Sequence, residues 1–186
     1  MARTESNMLA LGTTAPDFKL LDTVSNHILD LQTSSGAKGT VIMFICNHCP
    51  FVIHLNQEIS KLAREYQTKG IAFIAISSND ILNYPQDNPA LMKLKAIEEG
   101  YTFPYLYDAT QEVAIAYDAA CTPDFYLFDG RLKLVYRGQL DDSRPGNGIP
   151  VTGSDLRRAM DTLLCGGPVI EPQKPSIGCG IKWIQN

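Results

Sequence analysis

Two periods alternate along this chain, and their order predicts the architecture. Thr40-Val41-Ile42-Met43-Phe44-Ile45 is continuously apolar and β-rich, the pattern of a strand buried on both faces. From Pro50 the period lengthens. Val52, Leu55, Ile59, Leu62, Ala63 and Tyr66 recur at three- and four-residue steps, predicting an amphipathic helix closed by Lys69-Gly70. Ile71 to Ile76 repeats the buried-strand pattern, and Phe103 to Tyr107 suggests a short strand. Before these, Phe18 to Leu31 alternates around Thr23 to Asn26 and predicts a hairpin, with Ser34 to Gly39 as a turn. Asn88-Pro89 signals a helix cap and first turn, leading to a helix through Glu99. Asp108 is positioned to cap a brief helix over 111–117. Phe125 to Phe128 and Leu132 to Tyr136, joined by Asp129-Gly130-Arg131, form a second hairpin. A last helix starts at Ser154 or Asp155 and runs to about Leu164. The expected domain covers 1–165, and the proline-bearing stretch 166–186 is expected to be an extended tail packed on it. The order is α/β, with a central mixed sheet covered by helices on both faces and an N-terminal hairpin.

Cys46-Asn47-His48-Cys49-Pro50 lies where the first buried strand feeds the long helix. Two thiols separated by two residues close into a disulfide with little backbone movement. A helix N-terminus supplies unpaired N–H groups and partial positive charge, which favour a thiolate. The expected thiolate is Cys46, at the helix start, with Cys49 behind it in the first turn. Thr122-Pro123 precedes the second hairpin.

These stretches, with Ala15-Pro16-Asp17-Phe18, Tyr126-Leu127-Phe128-Asp129 and Tyr136-Arg137-Gly138-Gln139, resemble the peroxiredoxin-like (alkyl hydroperoxide reductase / thiol-specific antioxidant) branch of the thioredoxin fold. The resemblance implies thiol–disulfide oxidoreductase chemistry. In that chemistry Cys46 attacks a disulfide, Cys49 resolves the mixed disulfide, and Pro123 is a cis-proline shaping the groove. Asn47, His48, Pro50 and Thr122 would modulate the pair, and a histidine between the cysteines is similar to the more oxidising members of the fold. The chain departs from both parent patterns. Thioredoxins carry a buried acid where Thr40 stands and a tryptophan where Ile45 stands. Neither cysteine has the proline and threonine spacing of a peroxidatic site, so peroxidase activity is expected to be weak.

Three other cysteines complete the set. Cys121 adjoins Thr122-Pro123 and Cys179 lies in a glycine-flanked tail pinned by Ile181 and Trp183; both are candidate extra redox thiols. Cys165 is read as helix packing. The alternative in a different class is a non-enzymatic module, either a copper or zinc carrier using Cys46, Cys49, Cys121 and His48 or Cys179, or a binding domain whose CxxC is vestigial. No cofactor or resident metal is expected. Asn79, Asp80, Tyr84 and Asp87, and Asp141 to Arg144, are read as solvated loops, and His27 and His54 receive no role.

With 186 residues, 45% of them hydrophobic, the chain is long enough for one core. A net charge of −4 argues against nucleic acid or an anionic membrane as partner. The first residues hold only a short apolar patch, so a cytoplasmic location is expected. The expected partners are a protein disulfide or dithiol and a thiol electron donor, with the protein a monomer or homodimer.

Overall fold

The computed structural model describes residues 3–169 and 172–185. Its centre is a seven-stranded sheet in the order β3-β2-β6-β5-β4-β8-β9. The strands are β2 (Lys19–Asp22), β3 (Ile28–Asp30), β4 (Gly39–Phe44), β5 (Ile71–Ser77), β6 (Tyr105–Tyr107), β8 (Asp124–Asp129) and β9 (Leu134–Gly138). β4, β5 and β6 run parallel, and the remaining pairs are antiparallel. A smaller sheet orders β1 (Arg3–Glu5), β10 (Ile177–Gly180) and β7 (Cys121–Thr122).

β4 is buried at all six positions because it has a strand on each edge and helices over both faces. Val41 and Met43 enter the core beneath α2 (Pro50–Gln67), α3 (Pro89–Glu98) and α5 (Ser154–Leu164). Ile42 and Phe44 enter a second core, which receives Leu31 from α1 (Leu31–Ser34) and Val113 and Ala114 from α4 (Glu112–Ala116). Alternation within an uninterrupted apolar run thus fills two cores at once. Among the described residues no helix is long and apolar enough to cross a membrane.

Four expectations change. The turn before β4 begins with the single-turn helix α1, because the Asp30 carboxylate caps the Thr33 N–H. The short helix begins behind Gln111 rather than at it. Gln111 has φ +64°, and the Asp108 carboxylate accepts the Ala114 N–H at 2.9 Å. The second hairpin resumes at Leu134, since Leu132 is left-handed and Asp129 accepts from the N–H groups of Arg131 and Lys133. The tail is also more than a strap, because its residues 177–180 form β10 between β1 and β7. The glycines of β10 permit that seat. A Cβ on Gly178 would stand 1.9 Å from the Thr122 carbonyl oxygen.

Candidate functional site: three thiols at the head of the long helix

The helix begins one residue beyond the second cysteine. Pro50 occupies its first position, where the missing N–H costs nothing, and Cys49 is the N-cap. Cys46 therefore lies ahead of the helix, in the bend that leaves β4. Cys46 is 2% exposed and Cys49 fully buried. The Thr122-Pro123 peptide bond is cis, as the resemblance implied. It brings Thr122 against both sulfurs. The Thr122 hydroxyl lies 3.4 Å from the Cys46 Sγ, and the Cys49 thiol donates to the Thr122 carbonyl at 3.1 Å.

This placement couples the two sulfurs. Cys49 is held well below the usual thiol range by S–H donation from Cys46, with further support from Cys179 and the Val52 N–H of the first helical turn. Cys46 is pushed up by its hydrogen bond to Cys49, by burial, and by the negative charge of Asp87. The hydrogen bond between the two sulfurs thus lowers Cys49 at the expense of Cys46.

The loop after β5 supplies what the sequence left unassigned. Asn79, Asp80 and Asp87 are buried and Tyr84 is half-buried, while Leu82, Asn83, Pro85 and Gln86 stay exposed. The expected solvated loop is in fact part of the site. Asp87 Oδ1 accepts the Asn47 N–H at 2.8 Å. Its Oδ2 accepts from the Asn79 side chain at 2.8 Å and lies 2.7 Å from His48 Nδ1. His48 stacks on Tyr84 with ring centroids 5.6 Å apart and planes 8° from parallel. The same Nδ1 is 3.9 Å from the Cys46 Sγ, so the imidazole is shared between sulfur and carboxylate. An imidazolium there meets a buried carboxylate, which offsets its pull on a Cys46 thiolate. Asn47 is held in turn by the Gln86 carbonyl and the Tyr105 hydroxyl.

Cys46 Sγ, His48 Nδ1 and Asp87 Oδ2 lie within 4.8 Å of one another, a possible donor set for a metal ion. The 2.7 Å between His48 and Asp87 is a hydrogen-bond distance. Two ligands of one tetrahedral zinc would stand about 3.3 Å apart. The arrangement fits an ion pair better than a first coordination shell.

The remaining cysteines separate. Cys179 is 3% exposed and joins the cluster of Cys49, Val52 and Phe125. Cys121 is buried on β7 with its Sγ 3.7 Å from the Pro123 carbonyl oxygen. Cys165, expected to pack, is exposed at the end of α5, because that helix turns only Leu156, Ala159 and Met160 fully inward. Ile181 pins the tail, whereas Trp183 is 42% exposed. The second loop is also ordered. Asp141 is buried and accepts the N–H groups of Ser143, Thr152 and Gly153, which sets the start of α5. His54 Nε2 lies 2.7 Å from the Ser143 hydroxyl. No spacing in the sequence joins His54 to Ser143, or Asp87 to His48. Only the fold brings them together.

Comparison with known proteins speaks to the family and the fold. The sequence profile of the AhpC/TSA family matches residues 11–137. Thiol-disulfide oxidoreductase ResA of Geobacillus kaustophilus is 29% identical over 163 residues, spanning 86% of this chain and 82% of the relative. An uncharacterized conserved protein of Geobacillus kaustophilus superimposes with a TM-score of 0.98 at 60% identity, over 100% of this chain and 98% of that one. The thioredoxin domain of a thiol-disulfide oxidoreductase from Bacteroides vulgatus superimposes with a TM-score of 0.60 at 18% identity, over 70% and 89% of the two chains. The fold is therefore thioredoxin-like.

Proposed function

The chain belongs to the AhpC/TSA family, and from that premise we propose that it is a thiol–disulfide oxidoreductase whose working pair is Cys46 and Cys49. One observation supports this above the others. Both sulfurs lie on the cis-Pro123 segment at the head of α2, each in contact with Thr122. The curated relative named a thiol-disulfide oxidoreductase points the same way.

The first step forms a bond between the Cys46 Sγ and one sulfur of a substrate disulfide. The other substrate sulfur leaves as thiolate, and the Cys46 proton passes to Cys49. That proton then moves to the departed thiolate. Cys49 attacks the Cys46 sulfur of the mixed disulfide, closing Cys46–Cys49 and releasing the second substrate thiolate. Two electrons pass from the protein to the substrate, and a thiol donor restores the pair. Protein disulfides are the proposed substrate class and the cytoplasm the proposed location. Insulin reduction with a dithiol donor tests the reading. Wild type should turn over, and Cys46→Ser should lose at least a hundredfold. Equal rates would remove Cys46 as nucleophile.

A further inference from the structure

β10 carries one side chain of chemical consequence between two residues that have none. Gly178 cannot hold a Cβ against the Thr122 carbonyl, and a Cβ on Gly180 would stand 3.1 Å from the Thr4 hydroxyl oxygen. Cys179 is directly opposite Thr122 in the antiparallel ladder. Cross-strand partners project to the same face of a sheet, and successive residues to opposite faces. The Thr122 hydroxyl is on the Cys46 sulfur, so Cys179 points toward the dithiol. Cys121, one residue earlier on β7, points away. Cys179 lies in the same buried cluster as Cys49, and its S–H helps hold the Cys49 thiol low. The strand is fastened in this register by the Ser176 hydroxyl, which donates to the Pro123 carbonyl at 2.6 Å.

We propose that Cys179 is a third member of the redox centre and that Cys49 exchanges its disulfide between Cys46 and Cys179. The proposal rests on the oxidoreductase reading above. Once Cys46–Cys49 has formed, the Cys179 thiolate attacks the Cys49 Sγ. The Cys49–Cys179 bond forms, the Cys46–Cys49 bond breaks, and Cys46 leaves as thiolate and takes up the proton Cys179 lost. No electrons leave the protein. Burial holds the Cys179 thiol up to about 12, so the exchange is slower than resolution of the substrate. Its product keeps the two-electron oxidation between buried sulfurs and returns Cys46 as a free thiol.

The test is disulfide mapping by mass spectrometry after equilibration with oxidised glutathione. Cys46→Ser should pass through a glutathione adduct at Cys49 and end with Cys49 linked to Cys179. A Cys46→Ser protein that keeps both thiols free, or stops at the adduct, in a buffer that fully oxidises wild type would overturn the proposal. A second readout does not depend on that variant folding. Oxidised wild type should retain a fraction of Cys46 open to alkylation, and Cys179→Ser should reduce it at least tenfold; unchanged labelling would also overturn it. The Cys46–Cys49 link is scored separately in wild type, so its failure counts against the proposed function and not against the Cys179 link.

Discussion

Asp87 collects three donors, and one of them is the histidine between the cysteines. The types of residue at 46, 48 and 49 made thiol chemistry legible in the sequence. The carboxylate that moderates them stands 39 positions from His48 and was not legible. Removing its charge should release the imidazole's pull on the sulfur. For Asp87→Asn we expect the Cys46 thiol to titrate lower by about one unit, measured by thiolate absorbance against pH. Where Cys46 is ionised a stabilised thiolate favours the reduced form, so the reduction potential measured above that titration should rise by about 30 mV against glutathione. Asp124 makes a different prediction. It is fully buried beside Ser6 and Tyr126, and burial raises its carboxyl from the usual 3.8 to about 7. Between those values the folded protein holds a proton that the unfolded chain has lost, so stability falls as pH rises. The slope from this group is about 1.4 kcal/mol per pH unit and vanishes above its folded value. Asp124→Asn should therefore gain on wild type between about pH 5 and about pH 8, read as urea midpoints at the two pH values. A constant difference would count against the assignment.

Helices and central strands were legible where the apolar period was long. β4, α2 and β5 formed where their patterns predicted, and Asn88 caps α3 by accepting the Leu91 N–H at 3.0 Å. β10 was not legible. Ile-Gly-Cys-Gly has neither alternation nor strong strand propensity, and it is a strand because Thr122 and Thr4 offer it two edges. The same difference separates two element-level predictions. Asn88→Ala should cost about 1 kcal/mol by chemical denaturation, the usual loss of a cap. It should also loosen the short turn Pro85–Asp87, whose Pro85 carbonyl the Asn88 side chain holds at 2.7 Å. Gly178→Ala should cost more, about 2–4 kcal/mol, since its methyl must displace the Thr122 carbonyl or push β10 away. Insulin disulfide reduction by this variant should slow along with the loss of stability. A Gly178→Ala protein as stable as wild type would mean β10 is not seated on Thr122.

At the scale of the molecule, the small sheet fastens segments from far apart in the chain onto one place. Ser6 donates to Asp124 at 2.7 Å and accepts the Ser176 N–H at 2.9 Å, tying β1, β8 and the approach to β10 together. The Lys182 N–H donates to Asn79, and the Asp80 N–H to the Lys182 carbonyl, joining the tail to the loop that carries Asp87. Deleting residues 1–6 should therefore raise the alkylation rate of Cys179 and lower the melting temperature by several degrees, since about 1 kcal/mol shifts a domain of this size by roughly 2–4 °C. The position of β10 in the chain also governs synthesis. Every other element that touches the sulfurs of Cys46 and Cys49 leaves the ribosome before it, so the nascent polypeptide presents the two thiols without their last cover. A newborn copy is thus at its most vulnerable to oxidants until that strand emerges and docks.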